Sequence, residues 1–221
     1  MDINIRTIDR GKTNYIERTI LSLAENKTFE DYKINVFDSG SENMGFLLFL
    51  NKYTNVEVKL PKKRTSALKN YIKTLRTNKD WVLVLGDDFI FCNNFFEQVE
   101  LLKKQIKEDV RVVSFFLNYK EGLEEKGLLY GLPANKFWGG NILIRKKDAH
   151  NLADLMERKS NAGETKNMDM FIKEWHIGKY PALPIYLSTV GACQHIGDNS
   201  TLGYTKRREG FVKKGFPNYK I

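Results

Sequence analysis

Cysteine is scarce in this sequence, and long apolar runs are missing altogether. Cys92 and Cys193 are the only cysteines in 221 residues, which excludes a small fold stapled by disulfides, and two thiols in a chain this size read as free rather than bridged. The longest apolar stretches, Phe46 to Leu50 and Val82 to Leu85, are sized for a strand or a short helix, far from the roughly 20 residues a spanning helix needs. The first ten residues, MDINIRTIDR, have the pattern of a strand and lack the basic, apolar and small-residue segments of a signal peptide. No membrane span and a cytoplasmic setting are therefore expected.

What is present is enough to fold. Hydrophobic residues make up 42% and aromatics 12%, enough for one sizeable domain with its own core. Lys and Arg number 36 against 27 Asp and Glu, a net charge of +9. Such an excess suits an anionic partner, although lysines spread along a chain also serve simply as solvated surface.

The stretch around which the chain is organised is Trp81 to Asn94, WVLVLGDDFIFCNN. Val82 to Leu85 form the continuous apolar run of a strand buried on both faces, and Asp87 and Asp88 follow at its C-terminal end. Open α/β sheets place their chemistry at that end. Adjacent carboxylates repel unless a cation or several donors neutralise them. A hard divalent metal with a phosphate beyond it meets that need. The competing account is an Asp-rich turn leading into a helix cap.

On either side the chain alternates between strand and helix patterns. Ile3 to Ile8 reads as a strand, followed by the polar turn Asp9-Arg10-Gly11-Lys12-Thr13 and a helix with Ile16, Ile20, Leu23 and Ala24 on one face, opened by Asn14 and Glu17 at capping-box spacing. Lys33 to Phe37 and Val56 to Leu60 are further strands. After the second strand, Met44, Leu47 and Leu48 suggest a short helix; after the third, Thr65 or Ser66 caps a helix carrying Leu68, Tyr71, Ile72 and Leu75. Beyond the aspartates, Asn94 and Glu97 again have capping-box spacing ahead of a helical stripe, and Val110 to Leu117 is a strand. The pattern dissolves from Asn118 to Asn135, which reads as a loop or small subdomain rather than core. Asn141 to Ile144 is a strand, a helix begins near Asp148, another spans Met168 to His176, and Ile185 to Leu187 is the last strand. This order predicts an α/β chain with a parallel sheet of nucleotide-binding type.

These positions, taken in order, resemble the GT-A family of nucleotide-sugar glycosyltransferases, from Ile3 to about Gly203. The resemblance implies a GT-A (nucleotide-diphospho-sugar transferase) fold: one Rossmann-like, mixed or parallel sheet flanked by helices. It divides a single domain, 1–221, into a nucleotide-binding half (1–117), a donor-sugar and acceptor half (118–203) and a basic tail (204–221). The family's DxD motif reads Gly86-Asp87-Asp88 here, with glycine at the first acidic position. By resemblance, Asp88 holds Mn²⁺ or Mg²⁺ on the two phosphates, Asp87 faces the ribose or donor sugar, and His195 completes the metal shell; read without the family, His195 is a structural hydrogen-bonder in a turn. The small, lysine-rich chain also looks like the compact chlorella-virus capsid glycosyltransferases, and the His195 segment is similar to the N-acetylglucosaminyltransferase IV group.

The same resemblance implies further roles. Asp38 accepts a hydrogen bond from the base, although Asp38-Ser39-Gly40-Ser41 is also an ordinary turn. Thr7 and Arg10 flank base and ribose. Arg64 or Lys69, in a segment similar to the family's Ala-Arg-Asn helix, neutralises phosphate. Trp138, Gly139 and Gly140 resemble the aromatic-glycine segment beside the donor sugar, or alternatively pack at a strand entry. Asp169, in a segment similar to the family's Glu-Asp pair with Met168 in place of the glutamate, is the general base toward an acceptor hydroxyl, or else complements its helix dipole. The implied partners are a nucleoside-diphosphate sugar, with UDP as the favoured nucleotide, and a glycan or glycoprotein acceptor. The basic tail serves as a lid over the diphosphate or as an arm for an acidic partner. Two other functions fit less well. A nucleotidyltransferase wants a fuller Gly-rich basic loop than Asp9 to Lys12 supplies. A nucleic-acid-binding module would set its carboxylates against a phosphate backbone, which argues against that partner.

Overall fold

The structure, a computed structural model, describes residues 1–11, 13–115, 129–132, 140–164, 166–188 and 193–196. The expected tail, Trp138 and Gly139 lie outside the described residues. Four strands run parallel in the order β3-β2-β1-β4: Asp2–Thr7 (β1), Ile34–Asp38 (β2), Val56–Lys59 (β3) and Trp81–Gly86 (β4). The chain lays β1 down first, steps outward to β2 and β3, then returns to add β4 on the other side. The C-terminal ends of β1 and β4 therefore border the crevice where the strand order reverses.

The sheet continues as β8-β6-β9-β7, made from Ile142–Arg145 (β8), Val112–Ser114 (β6), Ile185–Ser188 (β9) and Leu129–Leu132 (β7). β8 runs antiparallel to both β4 and β6, β9 is parallel to β6, and β7 is antiparallel to β9. The result is an eight-stranded mixed sheet. Part of the stretch expected to be loop, residues 129–132, is thus its edge strand. Two three-residue strands without a counterpart in the sequence reading, Phe89–Phe91 (β5) and Cys193–His195 (β10), pair with each other as a separate antiparallel ribbon.

Helices cover both faces of the sheet. Tyr15–Ala24 (α1) and Phe95–Gln105 (α3) share one core with Ile3, Ile5, Leu83 and Leu85. Ala67–Leu75 (α2), Lys146–Asn161 (α4) and Met168–Lys179 (α5) share the other with Val82, Val84, Ile142 and Ile144. Because both faces are covered, even Asn4 and Thr7 of β1 are inside. Asn4 is 1% exposed; its Nδ2 donates to Thr74 O at 2.7 Å, and its Oδ1 accepts from Asn35 Nδ2 at 2.9 Å. A buried polar pair so satisfied fixes the neighbouring strands in register at little cost.

Local signals hold with exceptions. Asn14 caps α1, accepting from Glu17 N, and Ser66 caps α2, accepting from Lys69 N. Asn94 makes no cap bond to α3; its Oδ1 accepts instead from Gln98 Nε2 at 2.6 Å. The apolar segment after β2 forms a 3₁₀ helix, Gly45–Lys52. α4 starts at Lys146, one turn's half before Asp148. Cys92 and Cys193 are both free and buried. Among the described residues no helix is long and apolar enough to cross a membrane.

Candidate functional site

A cleft of about 130 Å³ opens where the ends of β1 and β4 meet the first turns of α2 and α5. Its walls include Arg6, Thr7, Arg10, Asn70, Asp87, Asp88 and Met168. The aspartates form a tight turn between β4 and β5 rather than a helix cap. Local bonds fix that turn. The Thr19 hydroxyl on α1 lies 2.7 Å from Asp87 O and 2.6 Å from Phe89 O, and Asn141 Oδ1 accepts from Gly86 N at 2.9 Å. Gly86 explains the motif's departure from a full acidic pattern. A Cβ there would lie 3.0 Å from Asp88 Oδ1 and 3.1 Å from the Phe89 ring, so a third carboxylate would crowd the second.

The ribbon of β5 and β10 brings His195 in from the far end of the chain. His195 pairs with Phe89 in register, and Ile196 N donates to Asp88 O at 2.8 Å. The imidazole then stands edge-on to Phe89 with Nε2 at 3.2 Å from Asp88 Oδ2. From the other side Arg10 spans both carboxylates, 2.6 Å from Asp87 Oδ1 and 3.2 Å from Asp88 Oδ2. Thr7 donates its hydroxyl to Asp87 Oδ2 at 2.8 Å.

This environment separates the two carboxyls. Burial pushes the Asp87 carboxyl up, against the pull of Arg10, with the neighbouring Asp88 charge adding to the rise. Asp88 also resists burial, yet its bond to His195 and the Arg10 charge hold it well below the usual carboxylate range. The Arg10 guanidinium loses solvation, but the two carboxylates hold its pKa up. Asp88 is therefore the stronger acid of the pair.

The structure brings together Thr7, Arg10, Asp87, Asp88 and His195, with Thr7 and Arg10 bonded to the aspartates rather than left open toward a base or ribose. Asp169 sits half-buried in the first turn of α5, next to Met168 of the cleft wall. Asp38 is 1% exposed and engaged by its own loop: Oδ2 accepts from Gly40 N and Ser41 N at 2.6 and 2.7 Å, and Oδ1 accepts from the Ser41 hydroxyl at 2.6 Å. Arg64 and Lys69 are exposed and do not line the cleft. At Gly140 the space of a Cβ belongs to the Phe89 ring, 2.6 Å away. Sequence reasoning missed Arg6 and Asn70, which line the cleft on the α2 and α5 side. Their only sequence signal was proximity to Thr7 and to the Ala-Arg-Asn-like segment.

Asp88 and His195 suit a divalent ion in one respect and not in another. Their 3.2 Å separation matches the roughly 3 Å between neighbouring ligands of an octahedral ion with bonds of about 2.1 Å. Among the described residues, however, no three His, Cys, Asp or Glu side chains group as a metal site. Two protein ligands completed by phosphate and water are the usual arrangement for Mg²⁺, so the residues fit an ion that arrives with its phosphates.

By sequence the chain matches no family model and no curated protein. By structure it is similar to S. aureus TarS 1-349, with a TM-score of 0.60 and 11% identity, covering 87% of this chain and 58% of that one. It is similarly close to TarS 1-349 in complex with UDP-GlcNAc, with a TM-score of 0.59 and 12% identity, covering 87% of this chain and 57% of that one. The chain thus spans under three-fifths of the TarS 1-349 structure it resembles. The fold is GT-A. The narrower likenesses to viral and N-acetylglucosaminyltransferase IV enzymes gain nothing from these matches.

Proposed function

We propose that the protein is a metal-dependent glycosyltransferase that moves a sugar from a UDP-sugar to a hydroxyl of a glycan or glycoprotein acceptor, with inversion at the anomeric carbon. One observation carries this reading: the Asp87-Asp88 turn lies at the switch point of a GT-A sheet, with His195 drawn onto Asp88 by the β5-β10 ribbon. A solved neighbour in complex with UDP-GlcNAc supports the choice of donor. Asp88 and His195 would hold Mn²⁺ or Mg²⁺, which stabilises the charge of a departing diphosphate without supplying a proton.

This chain's own residues then divide the work. Arg10 and Thr7 hold the aspartate turn in shape, and Arg10 keeps a positive charge beside the phosphates. Asp169 takes the proton of the acceptor hydroxyl as that oxygen attacks the face opposite the leaving group. Asp169 stands in the first turn of α5, where a negative charge complements the helix dipole.

The test is nucleoside-diphosphate release from UDP-, GDP- and dTDP-sugars, which needs no known acceptor. Release from a UDP-sugar should require Mn²⁺ or Mg²⁺ and fall at least about 100-fold in Asp88→Ala. Turnover of no donor, with no donor raising the melting temperature in Mn²⁺, defeats the reading.

A further inference from the structure

Arg6 is a charged side chain inside the cleft with almost nothing to bond. It precedes Thr7 on β1, so the strand's two-residue period sends it to the opposite face from the aspartate-bonded hydroxyl, toward α2 and α5. Among the described residues its one hydrogen bond runs from Nη1 to Met168 Sδ at 2.9 Å, a thioether and hence a weak acceptor. Its carbon Cζ lies 5.3 Å from the centre of the Tyr71 ring. Nε is buried with no hydrogen-bond partner. A guanidinium has five donors in a planar fork suited to carboxylate or phosphate, and most of this one's are unused.

The surroundings point the same way. Arg10 is the other cation of the cleft wall and is already engaged by two carboxylates. Asn70, 2% exposed beside Arg6, spends its Nδ2 on Phe37 O and Ser39 Oγ, both at 2.8 Å, and leaves Oδ1 buried without a partner. The cleft therefore holds a guanidinium that feels the charges of Asp87 and Asp88 but bonds neither of them, and an amide oxygen with no donor, while the first turns of α2 and α5 present Ala67 and Met168 to the same space. Leaving such groups bare is costly, and a ligand that satisfies them removes the cost.

We propose that Arg6 is a specificity-determining residue of this cleft, pairing an oxyanion of the bound substrate: a phosphate of the diphosphate or a carboxylate on the donor sugar. The proposal rests on the transferase reading above. Met168 meets the Arg6 guanidinium with a thioether, which brings no charge to it.

The experiment measures binding of uridine, UDP, UDP-glucose and UDP-glucuronate, each with Mn²⁺, to wild type, Arg6→Met and Arg6→Lys. Methionine keeps an unbranched apolar chain against Tyr71 and Met168, so the fold has a good chance of surviving; lysine restores charge without the fork. Arg6→Met should weaken an anionic ligand at least about tenfold, the worth of one charge-assisted pair. Uridine should be unaffected, and Arg6→Lys should recover part of the loss. A loss shared by UDP and both sugars assigns the diphosphate, and one confined to UDP-glucuronate assigns a sugar carboxylate. Unchanged binding of all four ligands overturns the proposal, as does an equal loss that includes uridine, which marks a structural role. If wild type binds none of the four, the transferase reading itself fails and takes the proposal with it.

Discussion

Two clusters in this molecule use the same chemistry to different ends. At the β1–β4 crevice, Arg10 and His195 close on Asp87 and Asp88. At the other end of the strands, where the chain enters β6 and α4 begins, Arg111 lies 3.8 Å from Asp148, Tyr180 donates its hydroxyl to the same carboxylate at 2.7 Å, and His176 bonds Leu183 O at 2.9 Å. Each holds arginine, histidine and acid. The difference is what closes them. Arg111 stacks under the Tyr180 ring, 4.7 Å from its centre, and Asp148 is 2% exposed, so the carboxylate of the second cluster is covered by its own neighbours and it is the arginine, 29% exposed, that meets solvent. The first is sealed only on its protein side, and the Asp88 side chain is 20% exposed toward a cleft. A buried charge pair becomes a site when one side is left for a ligand.

The contrast is broken most strongly by exchanging the expected losses. Asp148→Ala leaves Arg111 without its carboxylate and Tyr180 without its acceptor, and should cost about 2–4 kcal/mol in urea unfolding while sparing donor turnover in the folded fraction. Asp88→Ala should do the reverse, removing turnover at a smaller cost in stability than Asp148→Ala, because Asp87 still pairs with Arg10 and the repulsion between adjacent carboxylates is relieved. If both variants lose the same property, the two clusters are not functionally distinct. A smaller effect isolates the seal. Tyr180→Phe keeps the ring over Arg111 and deletes one bond to a buried carboxylate, for an expected loss of about 1.5–3 kcal/mol; the Tyr180 hydroxyl, pushed up to about 12 by burial and by that bond, stays protonated throughout.

The smallest effect is a pH dependence. Burial lowers the pKa of His176, against the pull of Leu183 O and Asp148. A histidine whose folded pKa lies below its unfolded value of about 6.5 contributes stability that is fully present above that value and is lost as pH falls below it. The urea midpoint of wild type should therefore drop between pH 7.5 and 5.5 by more than that of His176→Asn. Parallel curves would place the acid sensitivity elsewhere.

The parallel half of the sheet was legible because its signals are local. Ile16, Ile20 and Leu23 recur at helical spacing and are all buried, and the run Val82 to Leu85 has 0% exposure throughout. The ribbon that makes the site was not legible. β5 and β10 have three residues each, too few to show a period, and they meet across about 100 residues of chain. Asn94 has capping-box spacing yet bonds Gln98, since spacing states only what a side chain can reach. Arg6 was overlooked for a related reason: alternation on β1 marks a polar face, and only helices packed on both sides turn that face into an interior.

The sequence by itself determined which strand is central, that two carboxylates stand at its C-terminal end, and that the chain alternates into an α/β sheet, because hydrophobic period and turn chemistry act over a few residues. Only the tertiary structure decided that Arg10 clamps those carboxylates, that His195 reaches Asp88, that Asp38 is bound by its own loop, and that Arg6 lines the same cleft with no ion pair of its own among the described residues. Those outcomes depend on which backbone segments become neighbours and on what water can still reach, and long-range packing sets both.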